Sequence, residues 1–351
     1  MNGNYYAVIM AGGVGSRFWP VSTEEFPKQF HDMLGTGSTL LQTTYARFRE
    51  MLPAENILVL TNERYLSLVL EQLPEIEEEQ VLTEPVMRNT APCILYAAMK
   101  IAARNPHGVM AVAPSDHWIE QKDLFLNNIG DCYAFCSDHP VLMTLGIQPD
   151  FPNTGYGYIQ YAQEYSKGDF FKVSHFREKP DRATATRYIE QGNYLWNAGI
   201  FIWSVKEILK AFQSHQPAMY EVFQQGINVY GTSGERLFIN ENYAKAENIS
   251  IDYAVMEPAD NIYVLPAVFK WNDLGTWGSL YKELPHLADG NAVVNAKVVF
   301  EESAGNMVYT PSGKKVVVRG LQDYIIVDQG DTLLIYPKDR EQDVKSLPGK
   351  F

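Results

Sequence analysis

A glycine-rich turn followed by two cations is the first stretch of this chain whose residue types could do chemistry. The apolar run Tyr5–Met10 has the composition of a strand buried on both faces. Three glycines follow it, at Gly12, Gly13 and Gly15. Glycine permits positive φ and a close approach of the backbone to a ligand. Arg17 and Lys28 add positive charge to the same loop, so the stretch predicts a phosphate site; the alternative is a surface turn with two solvated cations.

The spacing of the glycines argues against two common nucleotide-binding motifs. A dinucleotide-binding turn needs a third glycine three residues after its second, where this chain has Phe18. A P-loop needs Gly-Lys-Ser/Thr after four intervening residues, and that sequence does not occur here. A dehydrogenase and a P-loop NTPase are therefore weak interpretations of this turn.

The elements that must position the turn alternate between strand and helix through the first 150 residues. Short connections between them predict an α/β fold with a doubly wound, mostly parallel sheet and right-handed crossovers. Ligands bind beyond the carboxyl ends of such strands, where the loops 11–28 and 114–117 leave the sheet. From about Pro285 the pattern changes to short β runs. We therefore predict a catalytic domain over residues 1–284 and a small all-β domain over 285–351.

Composition limits the partners and the compartment of the chain. It has 351 residues, 46% hydrophobic and 20% charged, with a net charge of −13, which argues against electrostatic capture of nucleic acid or an anionic membrane. The three cysteines lie in apolar surroundings and read as core thiols of a reducing compartment. The N-terminus lacks the features of a signal peptide, and no apolar stretch is long enough to cross a membrane. We expect a cytoplasmic protein.

Eight sequence blocks together resemble one enzyme family. The turn continues as Gly-Gly-Val-Gly-Ser-Arg-Phe-Trp-Pro and then Phe-Pro-Lys-Gln-Phe. Seven further blocks follow in order, beginning at Glu84 (EPVMRNTAP), Pro114 (PSDH), Gly155 (GYGYI), Glu178 (EKP), Trp196 (WNAGIF), Ser250 (SIDYAVME) and Trp271 (WNDLG). The chain resembles the sugar-phosphate nucleotidyltransferases with a Rossmann-like fold, and among them the mannose-1-phosphate guanylyltransferases.

The resemblance implies a reaction in which an oxygen of mannose 1-phosphate attacks the α-phosphorus of GTP and pyrophosphate leaves. Such a transfer depends on positioning and charge neutralisation. The attacking phosphate is already ionised at neutral pH, so no general base is required. The seven histidines, which form no convincing cluster in the sequence, agree with this expectation.

The resemblance also implies the catalytic groups and a metal. Arg17 and Lys28 match the family's catalytic cations, and the three glycines would present backbone N–H groups to the nucleotide. Asp116 and Asp273 would hold Mg²⁺ together with phosphate oxygens and water. The structural alternatives are a helix N-cap for Asp116 and a turn aspartate for Asp273.

Two further groups of residues match the family's substrate-binding positions. The nucleotide-recognition segment is Glu84, Arg88, Asn89 and Thr90; a carboxylate there can pair with the N1–H and 2-amino edge of guanine. The structural alternative is that Asn89 or Thr90 caps the following helix. The sugar-phosphate positions are Tyr156, Gly157, Glu178, Lys179 and Asn197. Asp252 also falls in a matching block, and there we favour a structural role.

Two other functions stay open from the sequence. The same chemistry could act on another sugar 1-phosphate, such as a manno-heptose 1-phosphate, or on another nucleotide. A non-catalytic regulatory relative is the other alternative, although such proteins usually lose one of Arg17, Lys28, Asp116 and Asp273, and all four are present here. The resemblance further implies a homodimer.

Overall fold

Residues 3–311 and 313–350 are described by the computed structural model, and they divide into two units. Unit 1 consists of the residues up to Gly12 together with Tyr45–Pro114 and Ile119–Trp271. Unit 2 consists of Gly13–Thr44, Ser115–Trp118 and the residues from Asn272 onward. The chain therefore leaves unit 1 three times: within the glycine turn, directly after Pro114 and directly after Trp271.

Unit 1 contains a nine-stranded sheet. Its strands are β1 (Tyr5–Met10), β2 (Ile57–Asn62), β3 (Val81–Glu84), β4 (Val109–Pro114), β6 (Leu142–Ile147), β7 (Tyr158–Lys167), β8 (Phe170–Arg177), β9 (Tyr194–Ser204) and β10 (Ile262–Pro266). Two two-residue strands, β5 (Trp118–Ile119) and β11 (Trp271–Asn272), lie where the chain passes from one unit to the other. The spatial order of the sheet is β3-β2-β1-β4-β9-β6-β10-β8-β7.

The direction of pairing divides this sheet into two kinds of region. The pairs β3–β2, β2–β1, β1–β4 and β6–β10 are parallel. Strand β9 runs antiparallel between β4 and β6, and β7 and β8 join by antiparallel pairing. The parallel region is the doubly wound α/β sheet that the sequence predicts.

The α-helices lie between these strands in the chain. They are α1 (Leu40–Arg49), α2 (Leu66–Gln72), α3 (Thr90–Arg104), α4 (Lys122–Asp138), α5 (Arg182–Gln191), α6 (Val205–His215), α7 (Pro217–Gln224), α8 (Glu235–Asn242) and α9 (Trp277–Glu283). Helix α3 packs against the sheet with ten buried residues, and this apolar burial is what fixes its position. A π-helical turn, Asp252–Met256, precedes β10.

Unit 2 contains the C-terminal strands. They are β12 (Ala292–Val294), β13 (Lys297–Glu301), β14 (Met307–Tyr309), β15 (Lys315–Arg319), β16 (Tyr324–Gln329) and β17 (Thr332–Pro337). Strands β12, β14 and β16 pair in parallel, β17 pairs antiparallel with β16, and β13 pairs with β15. Their inner residues share one core with Phe18, Met33 and Trp277 of the same unit.

The fold class predicted from the sequence is confirmed: an α/β sheet with helices and a C-terminal β region. The boundary near residue 285 stays a prediction. The three cysteines are free and buried, as expected of core thiols. Among the described residues, no helix combines the length and the apolar character needed to cross a membrane.

Candidate active site

Lys28 is a buried cation at the centre of a cluster in unit 2. Its side chain is 3% exposed, and its Nζ donates to Asp116 Oδ2 at 2.9 Å and to the main-chain carbonyl of Asp273 at 3.0 Å. The ammonium also lies 5.4 Å from the centre of the Phe18 ring. The structure thus brings together three residues that the sequence places as far as 245 positions apart.

Gly15 is required at its position because Lys28 lies beside it. Its φ is +72°, in the left-handed region, and a Cβ there would lie 2.7 Å from Lys28 Cβ. Any larger residue would push Lys28 out of place. At Gly13, by contrast, a Cβ would meet no described atom within 4 Å.

The carboxyls of Asp116 and Asp273 offer oxygen ligands of the kind Mg²⁺ prefers. Burial opposes ionisation of Asp116, but the charges of Lys28 and His117 and the hydrogen bonds to the carboxyl together outweigh it, and the pKa of Asp116 lies below its ordinary value. Asp273 Oδ1 accepts from the Gly275 backbone N–H at 3.1 Å, which is the turn role considered from the sequence. No helix begins at Asp116, so the N-cap alternative does not apply.

The donor set fits magnesium only if the substrate contributes ligands. In the part of the chain that the structure describes, no group of three or more His, Cys, Asp or Glu side chains could hold a metal ion. Magnesium is often bound by one or two carboxylates with phosphate oxygens and water, so two aspartates are a sufficient protein contribution. Asp116, one third exposed, can still reach such ligands.

Arg17, the other predicted cation, has a different partner. It lies in the 3₁₀ turn Ser16–Phe18, is exposed, and donates from Nε to Gln342 Oε1 at 3.1 Å. An exposed guanidinium held by a neutral amide keeps its full charge for an anionic ligand.

Glu84 is a buried carboxyl at the end of β3 in unit 1. It is 7% exposed, and its Oε2 accepts from the hydroxyl of Tyr243 at 2.6 Å. Its main-chain carbonyl accepts from Asn62 Nδ2 at 3.0 Å. Burial raises the pKa of Glu84 to about 7, and the hydrogen bond from Tyr243 acts in the opposite direction.

The other residues of the predicted nucleotide-recognition segment make structural contacts. Asn89 is the N-cap of α3, with φ of 63°, and its side chain accepts from the Thr90 N–H. Arg88 Nη2 donates to the Ala244 carbonyl at 2.9 Å, and Thr90 Oγ1 accepts from the Ile251 N–H at 2.9 Å. The capping role considered from the sequence therefore belongs to Asn89.

Glu178, Gly157 and Asn197 form a second cluster in unit 1. Asn197 N–H donates to the Gly157 carbonyl at 2.8 Å, and a Cβ at Gly157 would overlap Glu178 Oε2. Within the described residues this Oε2 atom is buried and lacks a hydrogen-bond partner. A buried carboxylate oxygen without a donor is costly, so this atom can still accept a hydrogen bond from a ligand.

The amide of Asn197 is held in one orientation. Its Oδ1 accepts from Thr144 Oγ1 and from the Gly199 N–H, and its Nδ2 donates to Asp252 Oδ1 at 3.0 Å. Burial, and then the nearby Glu178 carboxyl, raise the pKa of Asp252 to about 6. Asp252 therefore belongs to this cluster and does not cap the turn that it begins, whose N-cap is Ile251.

Tyr156 and Lys179 complete the predicted sugar-phosphate group. The ring of Tyr156 makes edge contacts with Trp196 and Trp271, at 5.1 Å and 5.4 Å between centroids. The backbone N–H of Lys179 donates to the Tyr156 carbonyl, and its Nζ lies 3.1 Å from Glu178 Oε1. All five predicted sugar-phosphate residues are thus close together.

A cavity of about 770 Å³ lies elsewhere in unit 1, against α3 and α8. Its lining includes an ion pair between Lys100 and Glu235 at 2.8 Å, and Tyr96 also donates to Glu235. None of the site residues predicted from the sequence, all of which the structure describes, lines this cavity.

Two residues of these clusters were not identified from the sequence as site residues. Tyr243 is one of 21 tyrosines and belongs to no matching block, so the sequence carries no signal for it. Asp252 lies in a matching block, and its contact with Asn197 could have been anticipated only from the fold.

Known proteins match nearly all of the chain. A family model described as nucleotidyl transferase matches residues 6–290, and one described as a MannoseP isomerase/GMP-like beta-helix domain matches residues 296–350. A mannose-1-phosphate guanylyltransferase of Escherichia coli is 34% identical over 348 residues, which are 97% of this chain and 74% of that protein. ManC of Salmonella typhimurium, with the same name, is 35% identical over 99% of this chain and 73% of its own length.

A solved structure agrees with these relatives. The crystal structure of a Thermus thermophilus protein described as a mannose-1-phosphate geranyltransferase superposes with a TM-score of 0.88 and 30% identity, covering 99% of each chain. With a matching family model over most of its length, and relatives that align with nearly all of it, this chain belongs to the nucleotidyl transferase family.

Proposed function

We propose that this chain transfers GMP from GTP to α-D-mannose 1-phosphate, giving GDP-mannose and pyrophosphate. The observation that carries the proposal is the set of relatives named mannose-1-phosphate guanylyltransferase, which align with 97% and 99% of the chain. The clusters around Lys28, Glu84 and Glu178 supply the three kinds of group that this reaction needs: phosphate-binding cations, a base-reading carboxylate and sugar-binding oxygens.

The reaction is a displacement at phosphorus. An oxygen of the sugar phosphate forms a bond to the α-phosphorus, and the bond from that phosphorus to the bridging oxygen breaks as pyrophosphate leaves. Lys28 and Arg17 neutralise the charge of the triphosphate and of the leaving group. The backbone N–H groups of Gly12, Gly13 and Gly15 bind phosphate oxygens beside them.

Asp116 and Asp273 are the proposed ligands of Mg²⁺. When bound, the metal supplies charge neutralisation on the phosphate oxygens. The Lys28 ammonium, bonded to Asp116 and to the Asp273 carbonyl, fixes the position of both residues. We expect activity to disappear in EDTA and to return with added Mg²⁺.

The remaining residues select the substrates. Glu84 accepts from the N1–H and 2-amino groups of guanine, while Arg88, Asn89 and Thr90 hold the segment that carries it. Glu178 Oε2 accepts from a sugar hydroxyl, because it is buried and lacks a donor from the described residues. Tyr156, Gly157, Lys179 and Asn197 complete the sugar-phosphate site.

Pyrophosphate release across a panel of substrates tests the proposal. GTP, ATP, UTP and dTTP are each combined with mannose, glucose and manno-heptose 1-phosphates in the presence of Mg²⁺. We expect the highest kcat/KM with GTP and mannose 1-phosphate, and no turnover by Asp116→Ala. A preference for a nucleotide without guanine, or for the heptose phosphate, would overturn the named activity, and a fully active Asp116→Ala would overturn the metal assignment.

The homodimer and the cytoplasmic location stay predictions. Light scattering of the purified chain tests the first, with a mass of twice 39.8 kDa expected. Fractionation of cells that express the chain tests the second.

A further inference from the structure

The segment 243–252 holds the nucleotide-recognition segment and the residue that follows it, Ala91, at several points within unit 1. Four hydrogen bonds join them: Tyr243 hydroxyl to Glu84, Arg88 to the Ala244 carbonyl, Ala91 N–H to the Ile249 carbonyl, and Ile251 N–H to Thr90. Three of the four involve main-chain groups of the 243–252 segment and hold the two segments together. The bond from Tyr243 is different, because it joins two side chains and ends on a carboxylate oxygen.

Tyr243 has little freedom to make another contact. It is 0% exposed, and its ring packs at right angles against Phe223 with 5.7 Å between centroids. Glu84 is equally constrained, since its backbone is paired with Asn62 at the end of β3 and its carbonyl accepts from the Asn62 side chain. The one hydrogen bond that the described residues give to the Glu84 carboxylate comes from the hydroxyl of Tyr243, and it restricts the orientation of that group.

The bond leaves the rest of the Glu84 carboxylate available. An ionised carboxylate offers about four lone pairs on its two oxygens, and Tyr243 uses one of them on Oε2. The other oxygen, Oε1, lies 3.9 Å from the position that a Cβ on Gly12 would occupy, so it faces a residue without a side chain. The remaining lone pairs suit two parallel N–H donors on one edge of a planar base.

We propose that Tyr243 is a positioning residue for nucleotide selection, and that its hydroxyl orients the Glu84 carboxylate toward the N1–H and 2-amino groups of guanine. This inference rests on the proposed guanine-reading role of Glu84. The ligand is a purine nucleotide with two adjacent N–H donors on its Watson–Crick edge, and Tyr243 itself does not contact it.

The ionisation of Glu84 gives the inference a second observable. Burial raises the pKa of Glu84 to about 7, and the Tyr243 hydroxyl opposes this. Two other titratable groups interact with this pair: Cys93 on α3, which lies near both residues, and Tyr96, which lies near Tyr243. Burial raises the pKa of both groups, so both are neutral at pH 7. Only the ionised carboxyl accepts two N–H groups. Because the Tyr243 hydroxyl lowers the pKa of Glu84, its loss should move the acid limb of the pH profile of kcat/KM for GTP to higher pH.

The experiment compares GTP with ITP, which keeps N1–H but lacks the 2-amino group. Steady-state kcat/KM is measured for both nucleotides between pH 6 and pH 9 in the full-length protein, with Tyr243→Phe and a matched control, Tyr230→Phe. Tyr230 is also buried and donates its hydroxyl to the Phe223 carbonyl at 2.8 Å, so its loss costs a comparable hydrogen bond without involving Glu84.

We expect Tyr243→Phe to lower the ratio of kcat/KM for GTP to that for ITP about tenfold, the size expected for a misplaced charged hydrogen bond. The acid limb for GTP should move to higher pH in the same variant. Tyr230→Phe should leave both the ratio and the limb unchanged. If Tyr243→Phe slows GTP and ITP by the same factor with an unchanged limb, Tyr243 is only structural and the inference is overturned.

Two further variants test the role of Glu84 itself and provide an alternative to Tyr243→Phe. Glu84→Gln tests the underlying assignment: an unchanged GTP-to-ITP ratio there would overturn the guanine-reading role of Glu84 itself, whatever Tyr243→Phe shows. Should Tyr243→Phe not fold, 3-fluorotyrosine placed at position 243 keeps the ring and makes its hydroxyl a stronger donor. The acid limb should then move to lower pH, and a limb that does not move overturns the inference.

Discussion

Replacing Lys28 by methionine removes one charge and keeps most of the side-chain volume. In the native protein the Lys28 ammonium, 3% exposed, lies 2.9 Å from Asp116 Oδ2 and 3.0 Å from the Asp273 carbonyl. The Lys28→Met variant therefore removes one hydrogen-bond donor from the Asp116 carboxylate and one from the Asp273 carbonyl. We expect a moderate loss of stability and a much larger loss of activity.

The loss of stability and the loss of activity can be estimated separately. Charges 2.9 Å apart attract by about 6 kcal/mol at an effective dielectric constant of about 20. Desolvation of Lys28 offsets part of this, and water reaches Asp116, which is one third exposed, so a net loss of about 1–3 kcal/mol of stability is expected. Removing a charge that stabilises the transferring phosphates should lower kcat by a further factor of about 100 to 1,000.

Lys100 provides the matched control. Its ammonium lies 2.8 Å from Glu235 Oε1, and the two side chains are 17% and 7% exposed, so Lys100→Met breaks a similar buried pair in unit 1. Both variants are unfolded in urea and assayed for pyrophosphate release with saturating GTP and mannose 1-phosphate. Similar stability losses with kcat reduced only in Lys28→Met support the assignment. A Lys28→Met enzyme that keeps kcat within about twofold of the native value refutes it.

We predict the effects of three other substitutions on stability or on substrate binding. Gly15→Ala forces a Cβ to within 2.7 Å of Lys28 Cβ at a φ of +72°, and should cost about 2–4 kcal/mol in urea unfolding; a loss below about 1 kcal/mol would contradict the packing described here. Glu178→Gln should raise KM for the sugar phosphate about tenfold while KM for GTP stays constant, and equal changes in both would argue against a sugar contact. Because the pKa of Glu84 is raised from 4.5 to about 7 on folding, its contribution to stability is complete below pH 4.5 and is lost as the pH rises through 7. The stability of Glu84→Gln, measured by urea unfolding, should therefore rise relative to that of the native chain as the pH increases from about 4.5 to about 8. If the difference in unfolding free energy between the two proteins does not change with pH, the raised pKa of Glu84 is disproved.

The parallel part of the sheet could be predicted because its signals are local. Apolar runs such as Tyr5–Met10 and Val109–Pro114 alternate with amphipathic helical segments, and short connections allow few topologies. The apolar composition of the run that forms β9 shows that the strand is buried. It does not show that β9 runs antiparallel between β4 and β6, because an apolar composition carries no information on the direction of a strand.

Helix caps were also predictable for the same reason. Asp181 accepts from the Thr184 N–H at the start of α5, and Asn89 accepts from the Thr90 N–H at the start of α3. In each case the donor lies within three residues of the acceptor, so the sequence contains both partners of the bond. The ion pair of Lys28 with Asp116 spans 88 positions and could be reached only through the family blocks.

The hydrogen bond between Tyr243 and Glu84 could not be predicted from the sequence. A glutamate at the end of a buried strand needs a donor, because an unpaired buried carboxyl is costly. The sequence therefore implies that a donor exists, but 21 tyrosines and many other polar side chains could supply it. Tyr243 lies 159 positions from Glu84, in a 3₁₀ turn without a motif, and only the packing of segment 243–252 against α3 selects it. A group that orients a recognition residue needs no motif of its own, and it must be found from the contacts of the residue that it orients.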